Sequence, residues 1–155
     1  FKIHTVLNLL RGGKNMKTLY ETTIVNTGGR QGEVHSLDNI FYLDIAKPQA
    51  LGGEATTASN PEQLFAAGYS SCFNSALELV LEQDKVKVEK SEVTATISLI
   101  ADKENGGVKL AAKLEVEIFG LDDHELKEKY VKKAHDYCPY SKAVKNSIDV
   151  EIIVK

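Results

Sequence analysis

Asn60-Pro61-Glu62-Gln63-Leu64-Phe65-Ala66-Ala67-Gly68-Tyr69-Ser70-Ser71-Cys72-Phe73 opens the longest helix this chain can form, and the rest of the fold is arranged around it. Asn60 can cap the first turn with its side-chain oxygen. Pro61 suits the first helical position, and Gln63 stands where a capping box needs it. Leu64, Phe65, Gly68, Cys72, Phe73, Ala76, Leu77 and Val80 fall on one broad side, which predicts a nearly buried helix running to about Gln83. Gly68 and Ala76 lie one turn to either side of Cys72 and leave room there for another backbone to approach.

Upstream, residues 20–26 alternate and are rich in Thr, Ile and Val, which predicts a strand. Thr27-Gly28-Gly29-Arg30-Gln31-Gly32 is a turn, and further strands are expected near residues 33–36 and 39–45. Residues 47–59 have no period and form a loop long enough to line a pocket. Downstream, residues 93–100 and 108–119 alternate on either side of Asn105-Gly106-Gly107, a long hairpin. Asp122 with Glu125 is a second capping signature, for a helix over residues 123–136 with a Leu126, Tyr130, Val131, Ala134 stripe. Cys138-Pro139 opens a short third helix to about Lys145, and residues 148–154 form a closing strand. The order β-β-β-α-β-β-α-α-β is α+β with mainly antiparallel sheet.

The 155 residues carry a net charge of −3, which gives no footprint for nucleic acid or an anionic membrane. The uninterrupted apolar stretches are too short to span a bilayer. Residues 1–15 contain Val6-Leu7-Asn8-Leu9-Leu10 but lack a basic n-region and a small-residue cleavage site, so they do not read as a signal peptide. Met16 is the only methionine, and the purine-rich codons of a ribosome-binding site would read through as Arg11-Gly12-Gly13-Lys14-Asn15. Residues 1–15 are therefore expected to be an upstream extension, with a single domain over residues 16–155. Without a secretion signal the expected compartment is the reducing cytoplasm, where a permanent disulfide is disfavoured.

Two cysteines, Cys72 and Cys138, leave three alternatives: a structural disulfide, two inert thiols, or a catalytic pair that meets in the fold. They are too far apart for a CxxC motif and too few for a zinc site. Cys138 occupies the N-cap of its helix, where free backbone N–H groups and the helix dipole favour a thiolate. Cys72 sits mid-helix on an apolar side. Burial alone would make it inert, so reactivity needs a nearby cation, and Arg30 is the best candidate.

The runs Gly28-Gly29-Arg30-Gln31-Gly32, Asn60 to Tyr69 with Cys72, and Cys138-Pro139-Tyr140-Ser141 together closely resemble the organic hydroperoxide resistance (Ohr) branch of the OsmC superfamily. The resemblance covers essentially all of residues 16–155. It implies an OsmC-like α+β fold, with mainly antiparallel sheets, long central helices and an intertwined homodimer. It also implies a thiol-dependent peroxidase that reduces organic hydroperoxides without metal, haem or flavin, in which Cys72 is the peroxidatic and Cys138 the resolving cysteine. Arg30 and Glu62 are implied to activate Cys72, and the reductant is implied to be an external dithiol such as dihydrolipoamide, often on a lipoylated protein. Two rival readings are an OsmC-type peroxidase of broader peroxide range and a non-catalytic dimer binding a small apolar ligand.

Glu62 and Cys72 lie ten residues apart on one helix, roughly 15 Å along its axis. Either Glu62 acts through Arg30 at long reach, or it serves another subunit. The second option predicts a two-fold dimer with shared active sites, its helices in contact at Gly68 and Ala76. Phe65, Tyr69, Phe73 and Tyr140 are expected in the substrate pocket wall, suited to an apolar hydroperoxide. His135 reads as an exposed helix histidine rather than a proton donor, and Lys127, Lys129, Lys132 and Lys133 as a solvated face.

Overall fold

The computed structural model describes residues 17–155. The expected extension over residues 1–15 and the domain start at Met16 lie outside the described residues. Among the described residues, two three-stranded sheets and three α-helices make up the fold.

The first sheet has the order β1 (Ile24–Thr27), β2 (Gly32–Ser36), β3 (Tyr42–Ile45), antiparallel throughout. Its outer strands are shorter than the alternation suggested. Residues 37–41 form a turn instead, in which Asn39 takes a positive φ of 57° and the Phe41 carbonyl accepts from the Ser36 N–H. The β1–β2 turn needs its glycines. Gly28 has φ 82°, and a Cβ on Gly32 would lie 1.8 Å from the Thr27 carbonyl oxygen. Arg30 is carried on this turn. The loop over residues 47–59 holds one 3-10 turn, Gln49–Leu51, and returns along β3 through a parallel bridge between Ile45 and Ser59. That return delivers Asn60, and with it the start of helix α1, to the first sheet.

Helix α1 spans Pro61–Gln83, with the Asn60 side chain accepting from the Gln63 N–H at 2.9 Å. Although its uninterrupted apolar runs are short, it is long and apolar enough by length and composition to cross a membrane. In the fold, its Tyr69, Phe73, Ala76, Leu77, Val80 and Leu81 are buried in the protein core. Strands β4 (Lys90–Ala101) and β5 (Val108–Phe119) form the expected hairpin, and β6 (Asp149–Val154) lies beside β5. The β5–β6 pairing is parallel, because two helices, α2 (His124–Tyr137) and α3 (Pro139–Val144), carry the chain back between them.

Along β5 Ala112, Leu114, Val116 and Ile118 point inward against α1 and α2, while Lys113, Glu115 and Glu117 alternate outward. Each large side chain buried here stabilises the fold by about 1.5–3 kcal/mol. Helix α2 adds Tyr130, Val131 and Ala134 to this core. Its cap is Asp123, which accepts from the Leu126 N–H, and not Asp122; the helix begins one residue later than the capping pattern suggested. Asp84, at the end of α1, accepts from the Tyr130 hydroxyl and from Lys133, tying the two helices together.

The first sheet stands apart from this core, its strands packing chiefly on one another. Ile24, Leu37, Ile40, Phe41 and Tyr42 are left exposed on it.

Because Asn60 holds the first turn that carries Glu62, Asn60→Ala is expected to lower the unfolding free energy by about 1 kcal/mol in urea denaturation. An unchanged midpoint would show that the side-chain cap does not matter.

Candidate active site

Helix α3 begins on top of the middle of α1. Cys138, its N-cap, is fully buried, and its Sγ lies 3.6 Å from Cys72 Sγ across a sequence separation of 66 residues. Both thiols are free. One turn before Cys72, Gly68 leaves room for the Tyr140 ring beside this contact. A Cβ there would lie 2.5 Å from the Tyr140 hydroxyl oxygen, so the phenol of this same chain occupies the space that glycine leaves open. The sequence reading assigned that space, together with Ala76, to a second subunit. Both are instead used within one chain, since Ala76 is buried in the core.

Around the thiols lie three aromatic rings. Tyr140 stacks on Tyr69 with centroids 5.9 Å apart, and Phe65 meets both edge-on at 6.0 and 6.2 Å. Of the four expected pocket residues, Tyr69 and Phe73 are fully buried, so they back the wall from inside the core. Phe65 and Tyr140 retain exposure and can face a substrate. Beside the start of α1, Pro48, Leu51, Glu62, Ala66, Ala95 and Leu99 help line a groove of about 500 Å³.

Electrostatically the two ends of the site differ. Burial pushes the Cys72 thiol up, opposed by a hydrogen bond from the Tyr140 backbone. The Ser141 N–H lies 3.5 Å from Cys138 Sγ. The start of α3 thus offers one backbone group to each sulfur. Arg30 and Glu62 form a bidentate pair, Nη1 to Oε2 at 2.8 Å and Nη2 to Oε1 at 2.6 Å. The guanidinium hydrogen bond holds the Glu62 carboxyl below its ordinary value, and Arg30 is raised in turn. The structure therefore brings together Cys72 with Cys138 and Arg30 with Glu62 as two separate couples. Among the described residues, no cation contributes to the Cys72 thiol.

Two further polar residues, Ser141 and His135, lie beside the thiols. Ser141, only 3% exposed, has its hydroxyl 3.0 Å from the Tyr69 hydroxyl and 3.0 Å from His135 Nδ1. His135 is therefore half-buried and engaged, not the solvent-facing histidine expected from its place in a Lys-rich helix. Its one sequence signal was its position three residues before Cys138, on the side of α2 that faces α3. Among the described residues, no three His, Cys, Asp or Glu side chains converge as a metal-ligand set.

The family model for OsmC-like proteins matches residues 52–153 of the chain. Organic hydroperoxide resistance protein-like 2 of Staphylococcus saprophyticus is 55% identical over 139 residues, covering 90% of this chain and 97% of that protein. The crystal structure of an organic hydroperoxide resistance protein from Legionella pneumophila superposes with a TM-score of 0.84 at 44% identity, covering 90% of this chain and 99% of that one. That of the Bacillus subtilis organic hydroperoxide resistance protein OhrB gives 0.80 at 38% identity, over 89% and 100%.

The lowered Glu62 pKa fixes a sign for acid stability. A carboxylate held below its unfolded value contributes stability that is fully present above roughly pH 4.3 and is lost as pH falls through the native value. The Arg30 side chain is 41% exposed, so solvent screening limits the pair to about 1 kcal/mol or less. Urea midpoints of the wild type and Glu62→Gln are expected to converge on acidification from about pH 5 to pH 3. Parallel acid limbs would mean that the pair adds nothing to stability.

Proposed function

This chain belongs to the OsmC-like protein family, and from that membership and the site geometry we propose that it is a thiol-dependent peroxidase reducing organic hydroperoxides to alcohols. The observation that carries the proposal is the approach of Cys72 and Cys138, 3.6 Å apart at the junction of two helices. Two thiols that meet only through the tertiary fold, one half-buried beside aromatic rings and one fully buried behind it, suit a pair that cycles between dithiol and disulfide.

The Cys72 thiolate attacks the peroxide bond and takes the outer oxygen as a sulfenic acid. The O–O bond breaks and the alkoxide leaves as the alcohol once protonated. The Cys138 sulfur then attacks the sulfenate sulfur, the S–O bond breaks, and water departs. A disulfide is left that protects Cys72 from further oxidation. An external dithiol of the dihydrolipoamide type, free or on a lipoylated protein, reduces the bond by exchange. The need for reduced thiols between turnovers fits the reducing cytoplasm. Phe65 and Tyr140 favour an apolar alkyl or aryl hydroperoxide over hydrogen peroxide.

The thiolate and the leaving alkoxide both need a cation, and Arg30, aimed by Glu62, is the group we assign to that task. Within one chain it is engaged with Glu62, ten residues along the helix from Cys72. A second copy of the chain resolves this distance. The exposed apolar residues of the first sheet support such an association, because a sheet that packs chiefly on itself within its own chain can lie across a partner. In that homodimer Arg30 and Glu62 of one protomer complete the site of the other.

Two measurements test the reading. One equivalent of cumene hydroperoxide is expected to lower the intact mass of the reduced protein by about 2 Da. Cys72→Ser should abolish the change, and an unchanged wild-type mass would overturn the peroxidase assignment. Mixing inactive Cys72→Ser with inactive Arg30→Ala protein is expected to restore about a quarter of wild-type turnover, because random re-association puts one complete site in each mixed dimer. No recovery would exclude the shared site.

A further inference from the structure

We propose that His135, acting through Ser141, is a positioning residue for the resolving step, in which the Cys138 sulfur attacks the oxidised Cys72. The inference rests on the peroxidase reading above and extends it to residues that none of its steps use.

Ser141 stands at the meeting point of three helices. Its backbone N–H, belonging to α3, lies 3.5 Å from Cys138 Sγ. Its hydroxyl is held from two sides, by the Tyr69 hydroxyl of α1 at 3.0 Å and by His135 Nδ1 of α2 at 3.0 Å. Tyr69 is fully buried and Ser141 almost so, which means that neither hydroxyl has water as a ready alternative partner. A serine hydroxyl has one hydrogen and two lone pairs, so it can accept from one neighbour while donating to the other, or accept from both. With Nδ1 unprotonated, Tyr69 donates to Ser141 and Ser141 donates to His135. The His135 ring is itself held against Phe73, the residue after Cys72, with centroids 6.4 Å apart.

The physical consequence concerns orientation. The resolving step forms the Cys72–Cys138 bond and breaks the S–O bond of the sulfenic acid. The Cys138 thiol proton and the departing hydroxide leave together as water, and no further oxidant is required. Its rate depends on the Cys138 sulfur being held in line with the sulfenate, in competition with a second hydroperoxide molecule that would carry Cys72 on to the sulfinic acid. Ser141 supplies the N–H beside that sulfur, and Ser141 cannot shift while its hydroxyl is fastened to Tyr69 and His135. Loss of the His135 link leaves a buried hydroxyl with one partner fewer and α3 with one tie fewer to α2.

The test reads the fate of the sulfenate once it has formed, which a residue needed only for folding would not alter. Reduced protein is treated with excess cumene hydroperoxide, and intact mass gives the ratio of sulfinic acid, about 32 Da heavier, to disulfide, about 2 Da lighter. His135→Phe keeps a ring against Phe73 and removes the acceptor, and Ser141→Ala removes the hydroxyl while keeping the N–H. Both are expected to raise the sulfinic-to-disulfide ratio about fivefold, the factor that corresponds to one hydrogen bond. His135→Asn, whose side-chain amide can restore the contact with Ser141, is expected to return the ratio toward the wild-type value. Wild-type ratios in folded His135→Phe and Ser141→Ala overturn the inference and leave the peroxidase reading intact. If His135→Phe does not fold, Ser141→Ala decides alone. A wild-type protein that forms no disulfide overturns both.

Discussion

The meeting of the two thiols depends on one close approach, the seating of the first turn of α3 on the middle of α1. Gly68 lets the Tyr140 ring lie against α1, in the space where a Cβ would stand. From that seat follow the stacking of Tyr140 on Tyr69, the link from Ser141 to Tyr69, and the contact between the two sulfurs. Local helix propensity does not determine it. A six-residue helix such as α3 is too short to persist by itself and is kept in place by what it packs against.

The same junction makes the two thiols unequal. Cys138 is fully buried at a helix start, while Cys72 sits mid-helix, where burial works against its charged form. A mid-helix cysteine has no free backbone N–H of its own helix to draw on, and the neighbouring helix start lends one through Tyr140. The cation-bearing couple is elsewhere. Arg30 rides on the turn of the first sheet, and Glu62 on the first turn of α1, where that sheet and the returning loop meet it. The chain thus carries the thiol couple and the Arg30–Glu62 couple at separate points on one long helix.

Elements with a strong local period were legible from the residues. The bounds of α1 follow from Asn60-Pro61 and from the end of its apolar side, and the β4–β5 hairpin follows from alternation around Asn105-Gly106-Gly107. Less legible were the short strands of the first sheet, whose ends are decided by turn geometry at Asn39 rather than by composition. The parallel placing of β6 was also hidden, since it depends on how two helices cross back over the sheet. Asp122 and Asp123 offer the same side-chain oxygen, so only the path of the backbone could choose Asp123 as the cap.

By itself the sequence singled out the candidate groups: two cysteines in contrasting helical settings, and an arginine and a glutamate in motifs that resemble one family. It could do so because residue type, cap chemistry and periodicity are local properties. The family resemblance implied that Cys72 works with Cys138 and Arg30 with Glu62; only the tertiary structure decided that the Arg30–Glu62 pair makes no contact with the thiol of its own chain, and that Gly68 makes room for Tyr140 of its own chain. It also turned His135 from a surface residue into one bonded to a buried serine. These are contacts between side chains that lie far apart along the chain or on different helices, and a one-dimensional pattern carries no information about which faces will pack together.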